Sequence, residues 1–232
     1  MTQTRRERLR EATREEIKTI ARQQMAEQGA ASLSLRSIAR QMGLTAPALY
    51  RYFENRDALV TALIADAYTS LAVALEAARD ALPPSDHHGR LLDVALAYRR
   101  WAVAHSQDYA LIVGTPIPGY HACAEVTAPL AQRNLGVLVE LLAAAQQAGE
   151  LSSPPEYAGP PPELEAQLLG WRDHYGYLAS TPVLRLALSL WAHVHGLVTL
   201  EIFHHLGPNI GDAEVLYKAE ALAWFRRMGL SQ

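Results

Sequence analysis

Tyr50, Arg51, Tyr52 and Arg56 stand within seven residues of one another. A guanidinium presents paired donors that match the O6 and N7 acceptors of a guanine edge. Phenol hydroxyls suit phosphate oxygens, contacts that fix register rather than sequence. The chemistry these residue types could do is recognition of a polyanion, with Arg51 on a base edge and Tyr50, Tyr52 and Arg56 on the backbone. Ala46, Pro47 and Ala48 precede them. Such small residues let a helix approach a groove closely.

The elements that must position this set are two short helices. Leu35, Ile38, Ala39 and Met42 recur at helical spacing. Ser34 stands where an N-cap is wanted, and Gly43 where a left-handed stop is wanted. Thr45 can cap the next helix, and Pro47 then falls in its first turn, where a missing N–H costs little. Leu49 and Phe53 give that helix an inward face and leave Pro47, Ala48 and Arg51 outward. Two helices at this spacing form a helix-turn-helix, whose second helix enters a major groove. An ordinary helical hairpin, with half-buried tyrosines and a solvated arginine, fits the same pattern. Charge bears on the choice. Residues 1–60 hold 11 Arg and Lys against 7 Asp and Glu, a net +4, whereas residues 61–232 hold 10 against 17, a net −7. A basic first quarter on an acidic body suits a polyanion at the N-terminal end.

The rest of the 232-residue chain reads as helix. Ile17, Ile20, Ala21 and Met25 mark a first helix ending at Gly29. Further helices are expected at about 57–80, 87–106, 109–113, 121–148, 182–206 and 212–228. Residues 152–162 hold five prolines and read as a loop or spacer. No alternating strand pattern appears, so the expected fold class is all-α. No run of ~18 or more uncharged apolar residues occurs, so no membrane-spanning helix is expected. The charged N-terminus lacks the apolar core of a signal peptide. One cysteine, Cys123, excludes an internal disulfide and suits a reducing cytoplasm; it is expected to be a small buried thiol. The histidine pairs at 87–88 and 204–205 lack the spacing of metal ligands on one helix face. No nucleophile elbow, phosphate loop or dinucleotide-binding glycine pattern is present, so no catalytic residue, metal or cofactor is assigned.

The stretch Gly43-Leu44-Thr45-Ala46-Pro47-Ala48-Leu49-Tyr50-Arg51-Tyr52-Phe53, continued by Glu54-Asn55-Arg56-Asp57-Ala58-Leu59, resembles the signature of tetracycline-repressor-type (TetR/AcrR) regulators. That signature runs roughly G-V-S-x-x-x-L-Y-x-H-F-x-x-K-x-x-L. Tyr52 stands where the family usually has His, and Arg56 where it has Lys. Both keep a donor, although Arg grips as a fork rather than a point charge. Trp191-Ala192-His193-Val194-His195-Gly196 is similar to the W-x-x-x-H-G element of the WHG subfamily.

The resemblance implies a helix-turn-helix domain at 1–56 and a helical ligand-binding and dimerisation domain at 57–232. It implies contacts to an operator in double-stranded DNA from Ser34, Arg36, Thr45, Ala46, Pro47, Ala48, Tyr50, Arg51, Tyr52 and Arg56. It also implies a homodimer through the last long helices, with Leu190, Val194, Leu197, Val198, Tyr217, Ala221 and Trp224 at the interface. A small-molecule effector is implied too. Residues suited to a largely apolar cavity are Tyr98, Trp101, His105, Tyr109, Leu111, Tyr120, His121, Trp171, Tyr175 and His193. Few charges lie among them, which favours a neutral, hydrophobic or aromatic ligand. The expected function is a ligand-responsive repressor. The rival reading is a helical small-molecule-binding protein or enzyme with a vestigial helix-turn-helix.

Overall fold

A computed structural model describes residues 4–114, 117–207 and 210–230. Ten α-helices, two 3-10 turns and no strand occur among the described residues. The chain forms two compact units, Met1–Thr69 with His105–Pro129, and Ser70–Ala104 with Leu130–Gln232. A single cut at residue 56 does not describe this partition. A segment far along the sequence joins the first unit, and no local signal announces that.

In the first unit, α1 (Arg5–Gln28) begins with a capping box. The Thr4 hydroxyl accepts from the Glu7 N–H, and the Glu7 carboxylate accepts from the Thr4 N–H at 2.8 Å. Those two Thr4 groups hold the Glu7 carboxyl below its usual range. Helices α2 (Leu35–Gln41) and α3 (Ala46–Tyr50) follow. The opening of α4 (Arg56–Asp80), α6 (Ser106–Val113) and the first turn of α7 (Ala124–Gln147) complete the unit. Ile17, Ala21, Ile38, Leu49, Leu59 and Leu63 are at or near zero exposure in one shared core. At the end of α6, a Cβ on Gly114 would strike the Ala110 carbonyl, so a residue without a side chain suits that turn.

The second unit is built around α9 (Thr181–Ile202), which packs on α5 (His87–Ala104), α8 (Pro162–Tyr175) and α10 (Ala213–Arg227). Helix α8 is not among the expected elements. The Pro-rich segment before it forms a short 3-10 turn at Pro155–Tyr157, and a proline starts α8 in its first turn. Arg99 of α5 grips Glu201 of α9 through two bonds of 2.8 and 2.7 Å and also reaches Glu214 of α10. The Tyr217 hydroxyl donates to the Ala95 carbonyl at 2.8 Å.

Leu190, Val194, Val198, Tyr217 and Ala221 are buried inside this single chain, where core packing already engages them. Two apolar stripes on one helix do not reveal which stripe faces the chain's own core. Leu197 and Trp224 stay half-exposed. Helices α4 and α9 are long and apolar enough on average to cross a membrane, although no long uncharged run announces it. Within the chain 44% of the apolar stretch of α4 and 39% of that of α9 is buried, and both helices carry paired carboxylates, Asp66 and Glu201. Finally, Cys123 is exposed rather than buried.

Candidate nucleic-acid interface

Local chemistry builds the reading head. The Ser34 hydroxyl caps α2 by accepting from the Ser37 N–H. At its other end, Gly43 adopts φ +66°, Leu44 N–H reaches Ala39 O at 2.8 Å and Gly43 N–H reaches Arg40 O at 3.2 Å. This pair of bonds closes the last turn and reverses the chain. Thr45 then starts α3 as N-cap without a side-chain bond, and Pro47 lies in the first turn. Leu49 and Phe53 anchor α3 in the core at no more than 2% exposure. From α1, the Arg14 guanidinium lies 4.4 Å from the Phe53 ring centre and donates to Tyr52 O at 2.8 Å.

This anchoring turns a defined face outward. Arg36, Thr45, Pro47, Tyr50 and Arg51 are exposed; Ser34, Ala46, Ala48 and Tyr52 are half-buried. Arg51 is the C-cap of a five-residue helix rather than a mid-helix residue. Among the described residues none holds its guanidinium. Arg5, Arg6, Arg8, Arg10 and Arg40 are also exposed in the same unit, outside the expected set.

Arg56 is engaged inside its own unit. Its guanidinium donates to Ala30 O at 3.1 Å and Ala31 O at 3.4 Å, beside a long contact to Pro118 O. These carbonyls belong to its own unit, so Arg56 braces the connection after α1. Arg56→Ala is expected to lower stability by about 1–2 kcal/mol, the scale of a charge-assisted bond to partly exposed carbonyls. The slope of log DNA affinity against log salt should stay put in filter binding. A lost phosphate contact would instead shallow it by about 1.

A second feature, not foreseen from sequence, lies deeper in this unit. Lys18 Nζ sits 2.8 Å from Asp66, Arg22 lies 3.2 Å from Asp66, and Arg22 Nε donates to Asp108 at 3.0 Å. The Lys18 side chain is only 9% exposed. Burial pulls its ammonium pKa down, but Asp66 and Glu15 outweigh that and raise it above the ordinary value. The partners are 44 and 86 residues apart in sequence, so no spacing pattern could reveal them.

The same unit holds a pocket of about 290 Å³, lined by Ile64, Tyr68, Leu111, Ile112, Tyr120 and Thr127 among others. Of the expected ligand residues, only Leu111 and Tyr120 reach it. His121 is exposed nearby in sequence, His105 is the exposed N-cap of α6, and Tyr109 is fully buried in the core. The remaining five lie in the second unit. Trp101 donates to Ser70 Oγ at 3.0 Å, and the Tyr98 hydroxyl meets His195 Nδ1 at 2.9 Å. Burial lowers the His195 pKa and favours the neutral ring. Trp171 donates to Gln132 Oε1, Tyr175 packs near Tyr177, and His193 lies between Glu220 and Trp224. Leu111 and Tyr120 are thus the two expected residues that line the described pocket.

A capped helix-turn-helix with a basic, small-residue outer face, on an all-helical chain, defines the class of DNA-binding transcriptional regulators. The chain belongs to the TetR family. Residues 19–63 match the model of bacterial regulatory proteins of the tetR family, and residues 91–223 match the tetracyclin repressor-like C-terminal domain. The HTH-type transcriptional regulators Rv1816 of Mycobacterium tuberculosis and Mb1846 of Mycobacterium bovis are each 35% identical over 212 residues. Those residues make up 91% of this chain and 90% of each relative. The crystal structure of SCO4313 is similar at 36% identity with a TM-score of 0.78, covering 96% of this chain and 100% of that one. A Rhodococcus sp. RHA1 protein of unknown function shares the fold at 24% identity and TM-score 0.71, covering 93% of this chain and 95% of that one.

Proposed function

We propose that this regulator is a repressor that binds a palindromic operator as a homodimer in the cytoplasm and is released by a small uncharged effector. The observation that carries the reading is the outward face of α3, with Pro47, Tyr50 and Arg51 exposed above the buried Leu49 and Phe53. Arg51 reads a guanine edge, Tyr50 holds phosphate, and the Ser34 and Thr45 hydroxyls flank them. Tyr52, half-buried, contributes its outer edge. Release follows when the effector binds better to a form of the dimer whose two reading heads are wrongly spaced.

Helix periodicity suggests the dimer face. At 100° per residue, the α9 side opposite Leu190, Val194 and Val198 carries Leu188, Ala192 and Gly196, with Phe203 following at the C-cap. Ala192 and Phe203 are exposed, and a Cβ placed on Gly196 would meet open space. Small residues there let two helices approach closely. The test is a gel shift on the intergenic DNA beside the protein's own gene at two salt concentrations, paired with sedimentation. A specific shift at nanomolar protein, weakening steeply with salt, supports the reading. Gly196→Arg should give a folded monomer with lost operator affinity. A Gly196→Arg chain that stays dimeric overturns this face, and failure of the wild type on genomic fragments as well overturns the regulator.

A further inference from the structure

We infer that Arg14 is a positioning residue for base recognition: from α1 it fixes the C-terminal end of the reading helix, and with it the backbone from which Arg51 projects. The inference rests on the reading of Arg51 as the side chain on the base edge. Helix α3 is only five residues long, Ala46–Tyr50. So short a helix orders several residues for few internal bonds and cannot hold its own shape. Thr45 at its start makes no side-chain cap bond. At its end the Arg51 N–H reaches Ala48 O at a long 3.4 Å, and the Tyr52 and Phe53 N–H groups share Leu49 O at 2.8 and 3.2 Å. Burial of Leu49 and Phe53 sets the depth of α3 in the core. It does not by itself set the direction of the peptide planes that follow.

Arg14 supplies that direction. Its Nη1 donates to the Tyr52 carbonyl at 2.8 Å, and its guanidinium carbon stands 4.4 Å from the Phe53 ring centre. The two contacts hold consecutive residues directly after Arg51. The hydrogen bond is charge-assisted and directional, so it orients the Tyr52 peptide. The ring contact keeps the guanidinium in place. Helix α1 is itself seated by Ile17 and Ala21, both fully buried, so the hold comes from a rigid element. A bidentate base contact tolerates little error, since recognition groups must be kept within roughly 0.5 Å and 10–20° of their working geometry. A small swing of the backbone at Arg51 is magnified at the far end of its long side chain. Phosphate contacts carry no such demand for sequence. Loss of Arg14 therefore costs discrimination more than attraction.

The test uses the full chain with two probes: the genomic fragment that the wild type holds most tightly, and a shuffled duplex of equal length and composition. Anisotropy gives both affinities across salt concentrations, at a temperature well below Tm. Arg14→Met keeps an unbranched stem and removes every donor. It should lower the ratio of the two affinities about tenfold, within the range that one bidentate base contact supplies. The salt slope should hold, because no phosphate contact is lost. If Arg14→Met does not fold, Arg14→Gln takes its place with the same loss expected. Arg14→Lys keeps a charged donor without the planar fork and should recover part of the ratio. Arg14→Met combined with Arg51→Ala should match Arg51→Ala alone, since nothing is left to position. A merely structural Arg14 would lower Tm and leave the ratio at wild type. A direct phosphate ligand would lower both affinities equally and shallow the salt slope by about 1. Either result overturns the inference, and so do additive losses in the double variant when Arg51→Ala lowers the ratio. An Arg51→Ala ratio equal to wild type would sink the base-edge reading by itself; the Arg14→Met ratio would still decide whether Arg14 positions the reading helix.

Discussion

Asp66→Leu is expected to cost the DNA-binding unit about 2–3 kcal/mol. Removing one partner of a buried pair costs roughly 3–5 kcal/mol because the other charge is left uncompensated. The Asp66 side chain is 36% exposed, so water reclaims part of that loss and the lower range applies. Lys18, at 9% exposure, has no comparable access to water and keeps only the more exposed Glu15 as a partner. Urea unfolding of wild type and variant at neutral pH checks the figure. Replacing both partners, Lys18→Met with Asp66→Leu, should restore much of the stability, since no buried ammonium remains, Arg22 keeps Asp108 and Glu15 is open to water. The pair also sets an alkaline limit. The folded Lys18 pKa lies above its ordinary value of 10.5, so its contribution is complete below that pH. The contribution is lost as pH climbs through the folded value. Wild-type stability should therefore fall above about pH 10.5, and that decrement should shrink in the double variant. An Asp66→Leu midpoint equal to wild type would mean the pair contributes nothing.

Arg51→Ala is expected to weaken operator binding about 10- to 100-fold, the roughly 1–3 kcal/mol of a bidentate base contact. Binding to unrelated DNA should change far less, because phosphate contacts supply most of that affinity. The ratio of the two affinities, measured at one salt concentration, is the informative quantity. Arg51→Lys should recover only part of the loss, since an ammonium cannot present two parallel donors. Arg51 is exposed at the C-cap of α3, so neither change should move the melting temperature. Equal losses on operator and random DNA would move Arg51 from base to backbone.

The reading head was legible because its signals are local. Ser34, Gly43 and Pro47 each mark a turn or cap within a few residues of where they act, and Leu49 with Phe53 shows the inward face. Boundaries of the long helices were close for the same reason. Three things were not legible. Helix α8 starts at a proline after a Pro-rich stretch and carries a weak apolar stripe, so nothing local separates it from the spacer. The inward side of α9 depends on which neighbour packs there, so Leu190, Val194 and Val198 looked like an interface. The ligand candidates were aromatic or amphipathic residues on several helices, and only folding decides which share a cavity. Leu111 and Tyr120 do, whereas Trp101 and Trp171 close hydrogen bonds inside the second unit.

The exposed Cys123 has a practical side. It is the one thiol in the chain. It immediately follows Ala122, which lines the pocket. A maleimide fluorophore or a nitroxide therefore attaches at a single address without any mutagenesis. The unaltered sequence thus carries its own spectroscopic reporter beside the cavity, and in a two-fold assembly each label would find its twin, so one distance distribution would record how the pair rearranges.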